Sequence, residues 1–484
     1  MNTIDRRLVV AVLIGLLLRL AWVVWLNPQP KLVGGDGPFY LLLASEVQAG
    51  RGLNTAGYGN QPTAVVGPVY PTFLAIAGIL SPTHQLQVAR LMQVMLDIGA
   101  LLILYLWARA WFGNQMAILL AFLYALDLRA VITAGEIYTE SIFVFFLIAS
   151  MALYWWALQT DSFWRWIFAG VALSLAILTR PVLQPLPFLM GFHLLVWFAR
   201  PLLQQAIFDR DGNSAFSLKE KSTTRYSAHA PNTTRAEYNL SAYWQFAKSH
   251  SNIFRWQFFV PAMQRWALLL LGCGLLLGTW VVRNGVTREH WEVAEGASFH
   301  FRIGATEEQW AGNKITLENV QDDKIEDTAG GTTYKYFQNG LKLILGKPLD
   351  YLRIRFSANA SAWLQPFATV QVDDVFNSLP MKELVLEILR GEQSLVVLLT
   401  QFSLIPKLWI YVWHFGSIIL GLWGIYSLRK NLPVLGLLLL PIISLAGVYA
   451  ILTINPRYLY PTMPFLLFLA AIGWLTRKPV SDSK

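Results

Sequence analysis

Residues 8–40 read LVVAVLIGLLLRLAWVVWLNPQPKLVGGDGPFY, and their order decides the class of the fold. Residues 8–26 are apolar apart from Arg19. A helix rises about 1.5 Å per residue, so about 20 such residues cross a ~30 Å hydrocarbon core. Glycines and prolines then break the helix, and Asp36 stands in the break with no further carboxylate before Glu46. An acid placed just outside a bilayer repels anionic headgroups unless it holds a cation or has chemistry to perform.

Working outward, the whole chain repeats the first half of that pattern. It is 55% hydrophobic and only 14% charged, against about 25% charged in soluble domains. Apolar runs fall at 8–26, 86–108, 115–133, 141–158, 164–179, 183–199, 264–282, 406–428, 434–453 and 459–475. These runs predict an all-α polytopic membrane bundle of about ten spans. The lone Cys273 lies inside one of them, which excludes a disulfide framework and a cysteine metal site.

Charge assigns the sides. Arg6, Arg7, Arg109, Arg429, Lys430, Arg477 and Lys478 flank the spans on one side, which the positive-inside rule makes cytoplasmic. Residues 200–265 hold nine Lys/Arg against four Asp/Glu, and 284–404 hold eleven against sixteen. The basic loop is therefore expected inside and the acidic one outside, with both termini cytoplasmic. The net charge of +9 is an orientation signal and calls for no nucleic-acid partner.

The apolar stretch 70–80 is too short to span and sits between Pro68 and Pro82, so it is expected to lie in the outer interface. Arg6-Arg7 ahead of an apolar run resembles a secretory signal, but Arg19 interrupts it and no small-x-small site follows. A retained anchor is expected. The organisation is then an N-terminal transmembrane module (1–199) with its first outer loop at 27–85, and a polar cytoplasmic loop (200–263). A single helix (264–283), an outer segment (284–404) with an amphipathic stretch near 341–363, and C-terminal helices with a tail (405–484) complete it. Asn232 and Asn239 open sequons that mean little on the cytoplasmic side.

With sides assigned, polar residues gather at the outer helix ends. They are Asp36, Arg90, Glu136 and Glu140, Arg180, Arg283 and Arg457. Arginine binds phosphate through a planar pair of donors that stay charged, and a nearby carboxylate can take the proton of an alcohol. Blander roles exist for each. Arginines at helix ends reach headgroups, Glu140 suits a helix N-terminus, Glu136 reads first as a loop or cap residue, and Asp36 suits a turn. Arg19 and Asp97 fall near mid-membrane on adjacent spans, where a mutual ion pair is the economical arrangement. Asp127 and Arg129 either pair likewise or line the site. His290 and His300 lack metal-ligand spacing.

Several motifs together resemble the GT-C glycosyltransferases, specifically the protein O-mannosyltransferase and aminoarabinose-transferase group. They are Asp36-Gly37-Pro38-Phe39-Tyr40, Gly67-Pro68-Val69-Tyr70-Pro71, Tyr138-Thr139-Glu140, Leu178-Thr179-Arg180-Pro181, Trp280-Val281-Val282-Arg283-Asn284 and Arg457-Tyr458-Leu459-Tyr460-Pro461. The resemblance implies transfer of a sugar, with inversion, from a polyprenyl-phosphate donor outside the membrane. Asp36 matches the family's first-loop catalytic acid and Glu140 the acid of its second outer loop. The arginines would contact the donor phosphate, Arg283 and Arg457 foremost, with Arg180 and Arg90 beside them.

Two departures stand out. Residues 64–68 read AVVGP where many relatives carry an acid, and Asp36 has no second acid in a DxD pair. No cofactor is therefore obligatory, while a divalent metal stays open. The acceptor, a hydroxyl or phosphate on protein, lipid or glycan, is not legible. A bacterial inner membrane is the expected location. A lipid-linked saccharide transporter and a polysaccharide polymerase or ligase use similar residues, and they are told apart by flipping and by product size.

Overall fold

The computed structural model describes residues 5–30, 32, 36–54, 63–208, 258–288, 291–294, 301, 304–305, 331–391 and 403–476. Most of the polar loop with its sequons, His290, His300 and the Arg477-Lys478 tail lie outside the described residues. Every regular element among the described residues is helical.

The N-terminal half comprises α1 (Arg6–Ala21, continued by a π-turn Trp22–Leu26), α2 (Gly37–Gln48), α3 (Val69–Leu80), α4 (Gln85–Phe112), α5 (Asn114–Ala125), α6 (Leu128–Gly135), α7 (Glu140–Thr160), α8 (Phe163–Thr179) and α9 (Leu186–Phe208). After it come α10 (Phe259–Arg288), α11 (Gly331–Gly346), α12 (Pro348–Leu364), α13 (Thr369–Phe376), α14 (Met381–Leu389), α15 (Leu404–Leu428), α16 (Leu432–Ile451), α17 (Pro456–Leu459) and α18 (Met463–Thr476).

Among the described residues eight helical stretches are long and apolar enough to cross a membrane, and α5 with α6 makes a ninth that is bent by 54°. The seventeen residues of α8 fall just short of that length. The chain is thus a multi-pass helical membrane protein, and the apolar runs read from sequence coincide with these helices. α3, at twelve residues, spans only about 18 Å and is too short to cross.

Polar side chains explain the irregular places. The bend in the third span falls where Asp127 caps α6, its carboxylate accepting from the Arg129 amide at 3.0 Å. The Arg129 side chain folds back on the same carboxylate at 2.8 Å and reaches His414 Nδ1 at 3.2 Å. Deeper in the bundle Arg19 Nε donates to Asp97 Oδ2 at 2.5 Å, and the Tyr124 hydroxyl donates to Asp97 Oδ1 at 2.7 Å. Both partners of that ion pair are buried.

Packing is close where side chains are small, as membrane helices without a hydrophobic drive between them require. A Cβ on Gly170 of α8 would come within 2.1 Å of the Leu269 carbonyl, and one on Gly272 of α10 within 2.2 Å of the Ile167 carbonyl. Those two backbones touch, so this helix pair holds only with glycine at both positions.

The 331–391 segment rests on the bundle through two buried cations. Arg355 of α12 donates to the carbonyls of Tyr449 and Ala450 at the end of α16, at 3.2 and 3.1 Å. Lys407 of α15 pairs with Asp373 of α13 at 2.5 Å. α11 and α12 leave Leu345, Leu349, Leu352 and Phe356 exposed.

Candidate active site

Four helix ends meet at one end of the bundle. Asp36 directly precedes α2, whose first turn holds Pro38, and its side chain caps no helix amide. Its carboxylate is left half exposed and free to face the neighbouring elements. Arg457 is delivered by the sequence Asn455-Pro456-Arg457. The Asn455 side chain accepts from the Arg457 amide at 3.0 Å and Pro456 sets the first turn of α17. The Arg457 Nη2 donor then meets Asp36 Oδ2 at 2.7 Å.

Glu140 opens α7 and is fully buried, with its Oε1 facing two arginines. Arg457 Nε lies 2.9 Å from that oxygen, although its N–H is not aimed along the contact. The second is Arg180, which follows α8 at the point where Pro181 ends it, and which donates to the same carboxylate. The result is a continuous chain Asp36–Arg457–Glu140–Arg180 with two charges of each sign.

Aromatic rings hold the guanidiniums flat. Arg457 lies over the Tyr138 ring at 4.6 Å, and Arg180 over the Tyr458 ring at 5.1 Å. Tyr458 in turn stacks on Tyr449, whose hydroxyl is 3.5 Å from Arg180 Nη2. Tyr40 stands edge-on to Tyr70 below Asp36, and its hydroxyl pKa is raised by burial and by Asp36. The first loop is pressed against this floor. A Cβ on Gly67 would fall 1.8 Å from the Leu178 carbonyl, so only glycine fits there.

Among the described residues, Arg457 Nη1 and Arg180 Nε have no protein partner. Unpaired donors on two adjacent guanidiniums, beside an exposed carboxylate, can receive an anion and orient a hydroxyl. No group of three or more His, Cys, Asp or Glu able to hold a metal occurs among the described residues.

The remaining candidates are placed elsewhere. Arg90 is fully buried and donates to the carbonyls of Asn27 and Gly135, both at 2.5 Å, and of Pro28 at 3.2 Å. Its donors are directed at backbone carbonyls, away from the other arginines. Arg283 donates to the Leu53 and Thr63 carbonyls at 3.2 and 3.0 Å and so ties the first loop to α10. Glu136 accepts from Asn27 at 2.7 Å, and its pKa is pushed up to about 6 by burial, against the pull of Arg90 and Asn27. Glu140, buried between the two arginines, holds them side by side. Tyr138, Tyr449, Tyr458 and Gln371 were not singled out by residue type. Tyr138 and Tyr458 lie within the quoted motifs, whereas Tyr449 and Gln371 carry no signal in the sequence.

Residues 67–208 match the family model described as dolichyl-phosphate-mannose-protein mannosyltransferase, a stretch that holds Glu140 and Arg180 but neither Asp36 nor Arg457. No curated protein matches the chain. Among solved structures, 97% of the chain aligns with the oligosaccharyltransferase AglB from Archaeoglobus fulgidus, in complex with an inhibitory peptide and a dolichol-phosphate, at 15% identity and a TM-score of 0.42. It covers 50% of that protein, so the chain spans about half the length of AglB. ArnT from Cupriavidus metallidurans, bound to undecaprenyl phosphate, aligns over 97% of this chain and 78% of its own at 16% identity and a TM-score of 0.34. The chain is thus similar, over residues 67–208, to the dolichyl-phosphate-mannose-protein mannosyltransferases.

Proposed function

We propose that the chain is an inverting membrane glycosyltransferase that moves a sugar from a polyprenyl-phosphate donor to an acceptor hydroxyl or phosphate. The observation that carries this reading is the Asp36–Arg457–Glu140–Arg180 chain with its spare guanidinium donors. The match to the mannosyltransferase family model supports it. The positive-inside charge pattern supports an orientation with this end of the bundle outside the cytoplasm and both termini inside, and the membrane we assign is a bacterial inner membrane.

In the proposed reaction Arg457 and Arg180 grip the donor phosphate. The acceptor oxygen attacks the anomeric carbon from the opposite face, and the bond from that carbon to the phosphate oxygen breaks. Polyprenyl phosphate leaves with the bonding pair, its charge held by the two guanidiniums. The acceptor proton passes to Asp36, whose half-exposed carboxylate beside Arg457 acts as the base. For an acceptor that is already an anionic phosphate, Asp36 orients it and no proton moves. Glu140 keeps the two cations together, and Arg283 and Arg90 hold the loop that carries Asp36.

The test uses purified protein in lipid vesicles with radiolabelled polyprenyl-phosphate sugars and an acceptor extract. Release of polyprenyl phosphate should require both acceptor and Asp36, and Asp36→Asn should lower it by roughly 10²–10⁴-fold. A folded Asp36→Asn protein with full turnover removes the acid role. Label that equilibrates between leaflets without release assigns the chain to transport instead.

A further inference from the structure

One side chain of the 331–391 segment meets a ring on which a site guanidinium lies. Gln371 of α13 lies with its Nε2 3.3 Å from the Tyr138 hydroxyl, and Tyr138 is the ring on which Arg457 is laid. The other end of the Gln371 amide, Oε1, is buried without a partner. The amide can be turned end for end, so either of its polar atoms holds the hydroxyl. α13 is itself fixed on two sides. Val372 is fully buried, and Asp373 pairs with Lys407, which also donates to the Leu379 carbonyl at 2.5 Å.

The chain of contacts therefore runs from Lys407 through α13 to Gln371, Tyr138, Arg457 and Asp36. A tyrosine ring held only by packing rocks about its bond to the backbone, and a guanidinium resting on it follows. A ring tethered at its hydroxyl presents one face at one depth. Resting on the reading that Arg457 grips the donor phosphate, we infer that Gln371 is a positioning residue for that grip. It sets the Tyr138 ring and, through it, the guanidinium, so that the 331–391 segment is coupled to donor binding.

The experiment is a titration of the full chain in lipid nanodiscs with undecaprenyl phosphate, using undecaprenol as control. Loss of one neutral hydrogen bond and of the ring geometry it secures should weaken binding about three- to tenfold in Gln371→Ala and equally in Tyr138→Phe. The double variant should be no weaker than either single one, because both remove the same link. Gln371→Glu, whose carboxylate still accepts from the hydroxyl, should restore most of the affinity. Wild-type affinity in Gln371→Ala, or single effects that add in full, overturns the inference while leaving the proposed function standing. A wild type that binds undecaprenyl phosphate no better than undecaprenol overturns both.

Discussion

Two clusters of the same residue types behave differently in this bundle. At the buried Arg19–Asp97 pair the carboxylate is met on both oxygens, by Arg19 and by Tyr124, and neither partner sees solvent. In the Asp36–Arg457–Glu140–Arg180 chain one carboxylate is half exposed and two guanidiniums keep donors without protein partners among the described residues. The first cluster is closed and local, and serves to make charge tolerable inside apolar packing. The second is also balanced in charge but is open to solvent at Asp36. Exposure, rather than charge or a spare donor, separates the two, since Arg19 Nη2 is itself buried without a partner.

The largest break in that comparison comes from the closed pair. Arg19→Leu alone leaves Asp97 charged and unpaired and should cost about 3–5 kcal/mol of stability, read as a lowered thermal unfolding midpoint in detergent. Arg19→Leu combined with Asp97→Leu should recover most of the loss, and a double variant as unstable as the single would mean the pair is more than a tolerated charge. In the open chain the pattern reverses. Arg457→Met should lower undecaprenyl phosphate affinity about tenfold to a hundredfold, the scale of a charge-assisted phosphate contact, while the unfolding midpoint moves far less than in Arg19→Leu.

The smallest effect sharpens the boundary between the two clusters. Glu136 is buried beside the site, and burial pushes its pKa up to about 6 from an ordinary 4.5. The fold therefore favours the protonated carboxyl. That contribution to stability is fully present below pH 4.5 and is lost as the pH rises through about 6. The loss amounts to roughly 2 kcal/mol, and Glu136→Gln should flatten the corresponding fall in unfolding midpoint. An equally steep fall in the variant would assign the pH dependence to another group.

Most of the fold was legible in the sequence because spans depend on run length and hydropathy alone. The bend in the third span was not, since 115–133 reads as one apolar run and the break depends on Asp127 capping α6. For the site, the depth of helix ends grouped Asp36 with Glu140, Arg180 and Arg457, which meet although Asp36 and Arg457 are 421 residues apart. The same reasoning grouped Arg90 and Arg283 with them; the structure shows both donating to loop carbonyls, which are invisible to a reading by residue type. Gln371 sits in a segment with no periodic or motif signal, and only the placement of α13 against Tyr138 reveals it.

The separation of 421 positions from Asp36 to Arg457 also has a meaning in time. At about 5–20 residues per second the ribosome needs roughly 20 to 80 s to travel from one to the other. Through that interval the nascent chain displays its acid at the membrane surface without the cation that meets it in the finished protein. In the proposed reaction, a partial chain that stops before Arg457, or one whose last helices fail to insert, keeps only Arg180 of the two gripping arginines.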